Sequence, residues 1–108
     1  MRIFRHSRSP SPFSALYVTL DSHHKYDIAH PGYWKVAETG EPPAPFTLIT
    51  DEDVRAGKYI PSNVSNLAWA QSYTTSLAAK GSFILCIWPE HCLMGSAGHN
   101  VHPNIYAG

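Results

Sequence analysis

The stretch "SFILCIWPEHC", residues 82–92, decides how the chain is read. From Phe83 to Trp88 every position is apolar. A strand with one wet face alternates apolar and polar residues, whereas an unbroken apolar run of strand length fits a strand covered on both faces, as in a parallel sheet. Upstream, from Ser65 to Lys80, Leu67, Ala70, Tyr73 and Leu77 fall at helical spacing. Asn63 or Ser65 can cap that helix, and Gly81 stands where a helix C-terminal glycine belongs. Earlier still, "SALYVTLD", residues 14–21, is β-branched and aromatic from Ala15 to Leu20 and reads as a buried strand ending at Asp21. A strand, a crossover containing a helix and a second strand make a βαβ unit, so the expected class is α/β with a mostly parallel sheet.

Between the first strand and the helix, His23 to Asn63 carries Pro31, Pro42, Pro43, Pro45 and Pro61 with Gly32, Gly40 and Gly57, and is expected to be mostly loop and turn. Within it "PFTLIT", residues 45–50, can form a short extended piece. Loops of this length inside a small domain tend to be functional. The closing "GSAGHNVHPNIYAG", residues 95–108, reads as a loop that begins another helix.

Size and charge set the outer limits. The 108 residues suffice for one domain and are too few for two. Eight Lys and Arg balance eight Asp and Glu, so no basic field of the kind that selects nucleic acid or anionic lipid is expected. No apolar run approaches the roughly 20 residues of a membrane-spanning helix, and a cytoplasmic protein is expected. Cys86 and Cys92 are the only cysteines, too few for a disulfide framework, and Cys86 lies inside the apolar run where a free thiol is the ordinary outcome. The opening "MRIFRHSRSPSPF", residues 1–13, is rich in Arg and Ser like a transit peptide, but Pro10 and Pro12 oppose the amphipathic helix of such peptides. It is read as a disordered leader.

In open α/β sheets, ligands bind beyond the carboxyl ends of the strands. Asp21 ends the first expected strand and His91 follows the second by three residues, so both are expected on one sheet edge, with His23 beside them. Residues two apart in extended chain point the same way, which lets Asp21 and His23 reach one ion. One carboxylate and two imidazoles form a donor set that leaves positions open for water or substrate on a divalent metal. His24, Asp27 and His30 lie close by, and Ile28 and Ala29 would anchor His30 near the fold; solvated loop histidines are the alternative to a metal site. His91 and Cys92 do not form a catalytic dyad, because neighbouring extended residues diverge to opposite faces. On pattern alone Trp88 is a core residue or an aromatic wall beside the site. His99 and His102 are read as solvated or capping.

With these motifs assembled, "YVTLDSHHKYDIAHPGYW", "PPAPFTLIT" and "FILCIWPEHCLMGSAGHNVHPNI" resemble the nicotinamidase group of the isochorismatase-like cysteine hydrolases, over about Leu16 to the end. The resemblance implies a three-layer α/β/α sandwich around a mostly parallel sheet. It implies amide hydrolysis, nicotinamide to nicotinate and ammonia, through a thioester. Position by position, Asp21, His23 and His91 match metal ligands; His30 matches a further ligand of some members at a spacing that is not identical, and Trp88 matches the residue that packs on the substrate ring. The ion would be Zn²⁺, with Fe²⁺ or Mn²⁺ as alternatives, and the substrate a small nicotinamide-like amide. The family's catalytic Asp, Lys and nucleophilic Cys have no counterpart in these residues, and the Cys of W-P-x-H-C, here Cys92, is not the family nucleophile.

The resulting expectation is residues 14–108 as a partial domain of that family, truncated at both ends, binding metal but inactive alone. A noncatalytic metal-binding or interaction module derived from the same family is the alternative. Two strands and one helix would leave sheet edges uncovered, which invites self-association.

Overall fold

The structure is a computed structural model that describes residues 2–4 and 12–106. These fall into two compact units, one made of the residues up to 23 together with those from 92 onward, the other of residues 24–91.

The unit of residues 24–91 has its own core. Tyr33, Trp34, Ile49, Val54, Tyr59, Ala70, Leu85 and Ile87 are buried together. Trp34 is fully enclosed and donates its indole N–H to the Ile28 carbonyl at 2.7 Å, so its one polar atom is satisfied inside the core. It opens strand β3 (Trp34–Val36), which follows a 3-10 turn at Pro31–Tyr33 and pairs antiparallel with β5 (Tyr59–Pro61). The extended piece expected in "PFTLIT" is β4 (Leu48–Ile49). Thr50 then caps α1 (Asp51–Arg55) with a reciprocal box: its hydroxyl accepts the Asp53 amide at 3.0 Å while the Asp53 carboxylate accepts the Thr50 amide at 3.2 Å.

The expected helix is α2 (Leu67–Ala79), led in by a 3-10 turn at Val64–Asn66 whose Ser65 amide is capped by the Asn63 side chain at 3.1 Å. Ala70 is buried, and Tyr73 and Leu77 pack against the core, so most of the expected stripe faces inward. Leu67 is exposed and Thr74 buried instead. The Thr74 hydroxyl lies 3.0 Å from Asp51 Oδ1, a contact between α2 and the first turn of α1.

The expected three-layer α/β/α sandwich with a mostly parallel sheet is not what the chain forms. Among the described residues the sheets are three, each of two short antiparallel strands. The apolar run at 83–88 yields only β6 (Leu85–Cys86), which pairs with β4 through Leu48 with Cys86 and Ile49 with Leu85. The reason lies in its burial. Leu85 and Ile87 are enclosed while Ile84 and Trp88 are exposed, so the run has one dry face and behaves as an antiparallel strand does. The nearby "PFTLIT" segment offers it a partner without a long crossover.

The second unit contains β1 (Arg2–Phe4), β2 (Leu16–Val18), a 3-10 turn at Ala97–His99 and the short helix α3 (Pro103–Tyr106). β1 and β2 pair antiparallel, Arg2 opposite Val18 and Phe4 opposite Leu16. β2 is the strand expected to be buried, yet Leu16 and Tyr17 are 51% and 61% exposed. Most of the leader expected over residues 1–13 lies outside the described residues; Arg2–Phe4 of it form β1. Beyond β2, His23 makes an isolated parallel bridge with Leu93, through His23 N–H to Cys92 O and Met94 N–H to His23 O, both 3.0 Å.

Candidate metal centre

Asp21 and His23 share one unit, and their side chains converge: His23 Nε2 lies 3.1 Å from Asp21 Oδ2. The backbone explains why. The two backbone hydrogen bonds of the parallel bridge fix His23 against residues 92–94, and the extended chain before it turns Asp21 to the same side. Ser22, pointing the other way, is bonded through its hydroxyl to His99 Nε2 at 2.7 Å. His99, read from sequence as solvated or capping, therefore ties down the residue between the two candidate ligands.

His30 and His91 lie in the other unit. The chain reaches His30 through a tight turn in which the Asp27 carboxylate accepts the Ala29 amide at 2.8 Å and the Asp27 carbonyl accepts the His30 amide at 2.9 Å. His30 is completely buried. Its Nδ1 is 3.2 Å from the His24 carbonyl and its Nε2 is 3.3 Å from His91 Nδ1, with the two rings edge to face. His91 Nδ1 is also 2.8 Å from the Pro89 carbonyl.

One assignment of protons satisfies all three contacts. A carbonyl can only accept, so His91 carries its proton on Nδ1 and donates to Pro89, and His30 carries its proton on Nδ1 and donates to His24. His30 Nε2 then accepts from His91, and the lone pair of the His91 ring sits on Nε2. Metal-bound histidines characteristically donate their other ring N–H to a carbonyl or carboxylate, which fixes tautomer and orientation. His91 has that arrangement. Both ring nitrogens of His30, the further ligand expected from the resemblance, are engaged within this network, and there it buttresses His91.

Asp21 and His23 of one unit are a carboxylate and an imidazole, and His91 of the other is a further imidazole, the donor types that a divalent ion takes. Trp88 is half exposed, its amide donates to the Ala29 carbonyl at 2.8 Å and its ring stands edge-on to Phe46 at 5.6 Å. It is a surface aromatic, not a core one. Cys86 and Cys92 are free thiols, and Cys92 has a left-handed backbone with φ +49°. Pro89 is legible in the sequence as a residue that fixes the turn, but neither its carbonyl contact to His91 nor the bond from Ser22 to His99 carries a sequence signature.

No family model matches the sequence, and no curated protein or solved structure matches it either. Among the described residues, no helix is long and apolar enough to cross a membrane.

Proposed function

We propose that this chain is the metal-binding portion of a nicotinamidase-like cysteine hydrolase, with Asp21, His23 and His91 as ligands to one divalent ion, and that it does not hydrolyse amides by itself. The observation that carries the reading is the convergence of the Asp21 carboxylate and the His23 imidazole at 3.1 Å on a backbone pinned by the bridge to Leu93. Two further features support it. His91 is one peptide bond from Cys92, whose carbonyl receives the His23 amide. Its Nδ1–H is held by Pro89, which leaves Nε2 as the ligating nitrogen.

A mixed carboxylate and imidazole set suits Zn²⁺ and also accommodates Fe²⁺ or Mn²⁺. Bound there, the ion would supply a Lewis-acidic position that orients a heteroaromatic amide. The half-exposed Trp88 ring is the surface against which such an amide would lie. Orientation accelerates a reaction only when a nucleophile is present, and Cys92 is not one. A thiol needs a base within about 3 Å to become a thiolate nucleophile, and the basic nitrogen of the neighbouring His91, Nε2, is the one this reading gives to the ion.

Two measurements test this. Dialysed wild-type protein should retain about one equivalent of zinc, and His23→Ala should retain little. With zinc bound, incubation with nicotinamide should release no ammonia above the no-enzyme rate. Zinc-independent behaviour of a folded wild-type chain would remove the metal centre, and measurable turnover would show that these residues contain a nucleophile the proposal denies them.

A further inference from the structure

Away from the histidines, the unit of residues 24–91 contains a cleft of about 450 Å³ lined by Tyr26, Tyr33, Ser62, Asn63 and Asn66. Its size falls within the range of small-molecule sites. Its wall at Tyr33 has an anomaly. The Tyr33 side chain is 8% exposed, and its hydroxyl is buried with no hydrogen-bond partner. A buried hydroxyl without a partner costs about 1–3 kcal/mol, and native proteins rarely leave one so. Burial also pushes the Tyr33 phenol above its usual pKa, so it is a neutral donor at physiological pH.

The rest of the lining narrows what could complete that hydroxyl. None of the five side chains is charged, which disfavours an ionic ligand. Asn63 spends its carbonyl oxygen on the Ser65 amide and hydroxyl, leaving its NH₂ as a donor. The Ser62 hydroxyl donates to the Gly32 carbonyl at 2.9 Å, leaving its oxygen as an acceptor. Asn66 makes no capping bond with its side chain, so its amide keeps both a donor and an acceptor. Tyr26, 72% exposed, offers a ring at the rim. A side-chain amide matches the paired donor and acceptor on the edge of a planar base, and an exposed aromatic ring stacks on its face.

We propose that this cleft is a second binding site, independent of the metal centre, for an uncharged planar heterocycle of the nucleobase class. An acceptor on the ligand takes the Tyr33 hydroxyl, the Asn66 amide reads the adjoining edge, and the Tyr26 ring turns onto the ligand's face.

The test is titration of adenine into the whole chain, followed by amide chemical shifts, with and without prior removal of metal by EDTA. Saturable shifts at Tyr33, Ser62 and Asn66 are expected, equally after EDTA, which separates this site from the metal centre. Tyr33→Phe should bind about tenfold more weakly, the equivalent of one hydrogen bond. It should melt no lower than wild type, because the hydroxyl it deletes has no partner. Tyr26→Ala, at an exposed position, should weaken binding several-fold. The proposal is overturned by adenine shifts that fail to saturate, by equal affinity in Tyr33→Phe, or by glucose saturating these residues where adenine does not.

Discussion

At the scale of single residues, Asp51 is the group whose charge state is most plainly built into the fold. Its Oδ2 accepts the Arg55 guanidinium at 2.8 Å and its Oδ1 the Thr75 hydroxyl at 2.8 Å, while Arg55 also reaches the Thr75 hydroxyl at 3.0 Å. The Arg55 hydrogen bond first, then that of Thr75, holds the carboxyl below the usual carboxylate range. A group whose folded pKa is depressed adds stability that is complete above its unfolded pKa, near 3.9, and is lost as pH falls through the folded value. Asp51→Asn should therefore lower the melting temperature at pH 7, and the gap to wild type should close as pH is taken below about 4. A gap that stays constant from pH 7 to 2.5 would mean the carboxylate's charge is immaterial.

Residue chemistry was the part of the candidate site most legible in sequence. Asp21, His23 and His91 stand out as donor types, and the i, i+2 spacing of the first two suffices to bring them together. Proton placement was not legible. The carbonyls of Pro89 and His24 fix the two ring tautomers, and main-chain acceptors carry no residue identity.

Among the elements, α2 was readable because its stripe recurs at helical spacing and its cap is local. Its end departs from expectation. Gly81 has the glycine, but the left-handed residue that closes the helix is Ser82, at φ +58°, with its amide on the Ala78 carbonyl at 3.1 Å. A left-handed conformation costs a non-glycine residue about 1 kcal/mol. Ser82→Gly should raise stability by up to about 1 kcal/mol, offset in part by the added freedom of the unfolded chain. Denaturant unfolding measures this directly; a destabilised variant would mean that Ser82 contributes through its side chain.

The strands were legible as extended segments and illegible as a sheet. "PFTLIT" and "SFILCIW" each contain the strand expected of them, β4 and β6. Their partnership was missed because a short apolar run has the same composition whether one face or both are covered. Only the enclosed Leu85 and Ile87 beside the exposed Ile84 settle it, and burial depends on neighbours distant in sequence.

Over the whole molecule, two units each carry part of the candidate ligand set: Asp21 and His23 in one, His30 and His91 in the other. The parallel sheet that was to bring the ligands to one edge is absent among the described residues. A parallel bridge does occur among them, joining His23 to Leu93 within the first unit. The ligand reading and the sheet reading therefore stand apart, and the correction of the sheet does not by itself decide the ligands. The ligand motifs depend on a few residues around positions 21 and 91, whereas the sheet depends on how every strand finds a partner.

The central claim is that Asp21, His23 and His91 act on one ion. It is tested most directly by elemental analysis of the purified wild-type chain and of His91→Ala after exhaustive dialysis, with circular dichroism on both to establish that they are folded. The account predicts close to one divalent ion per chain in the wild type and its loss in folded His91→Ala. A folded wild type without metal, or a folded His91→Ala that keeps its metal, would contradict it.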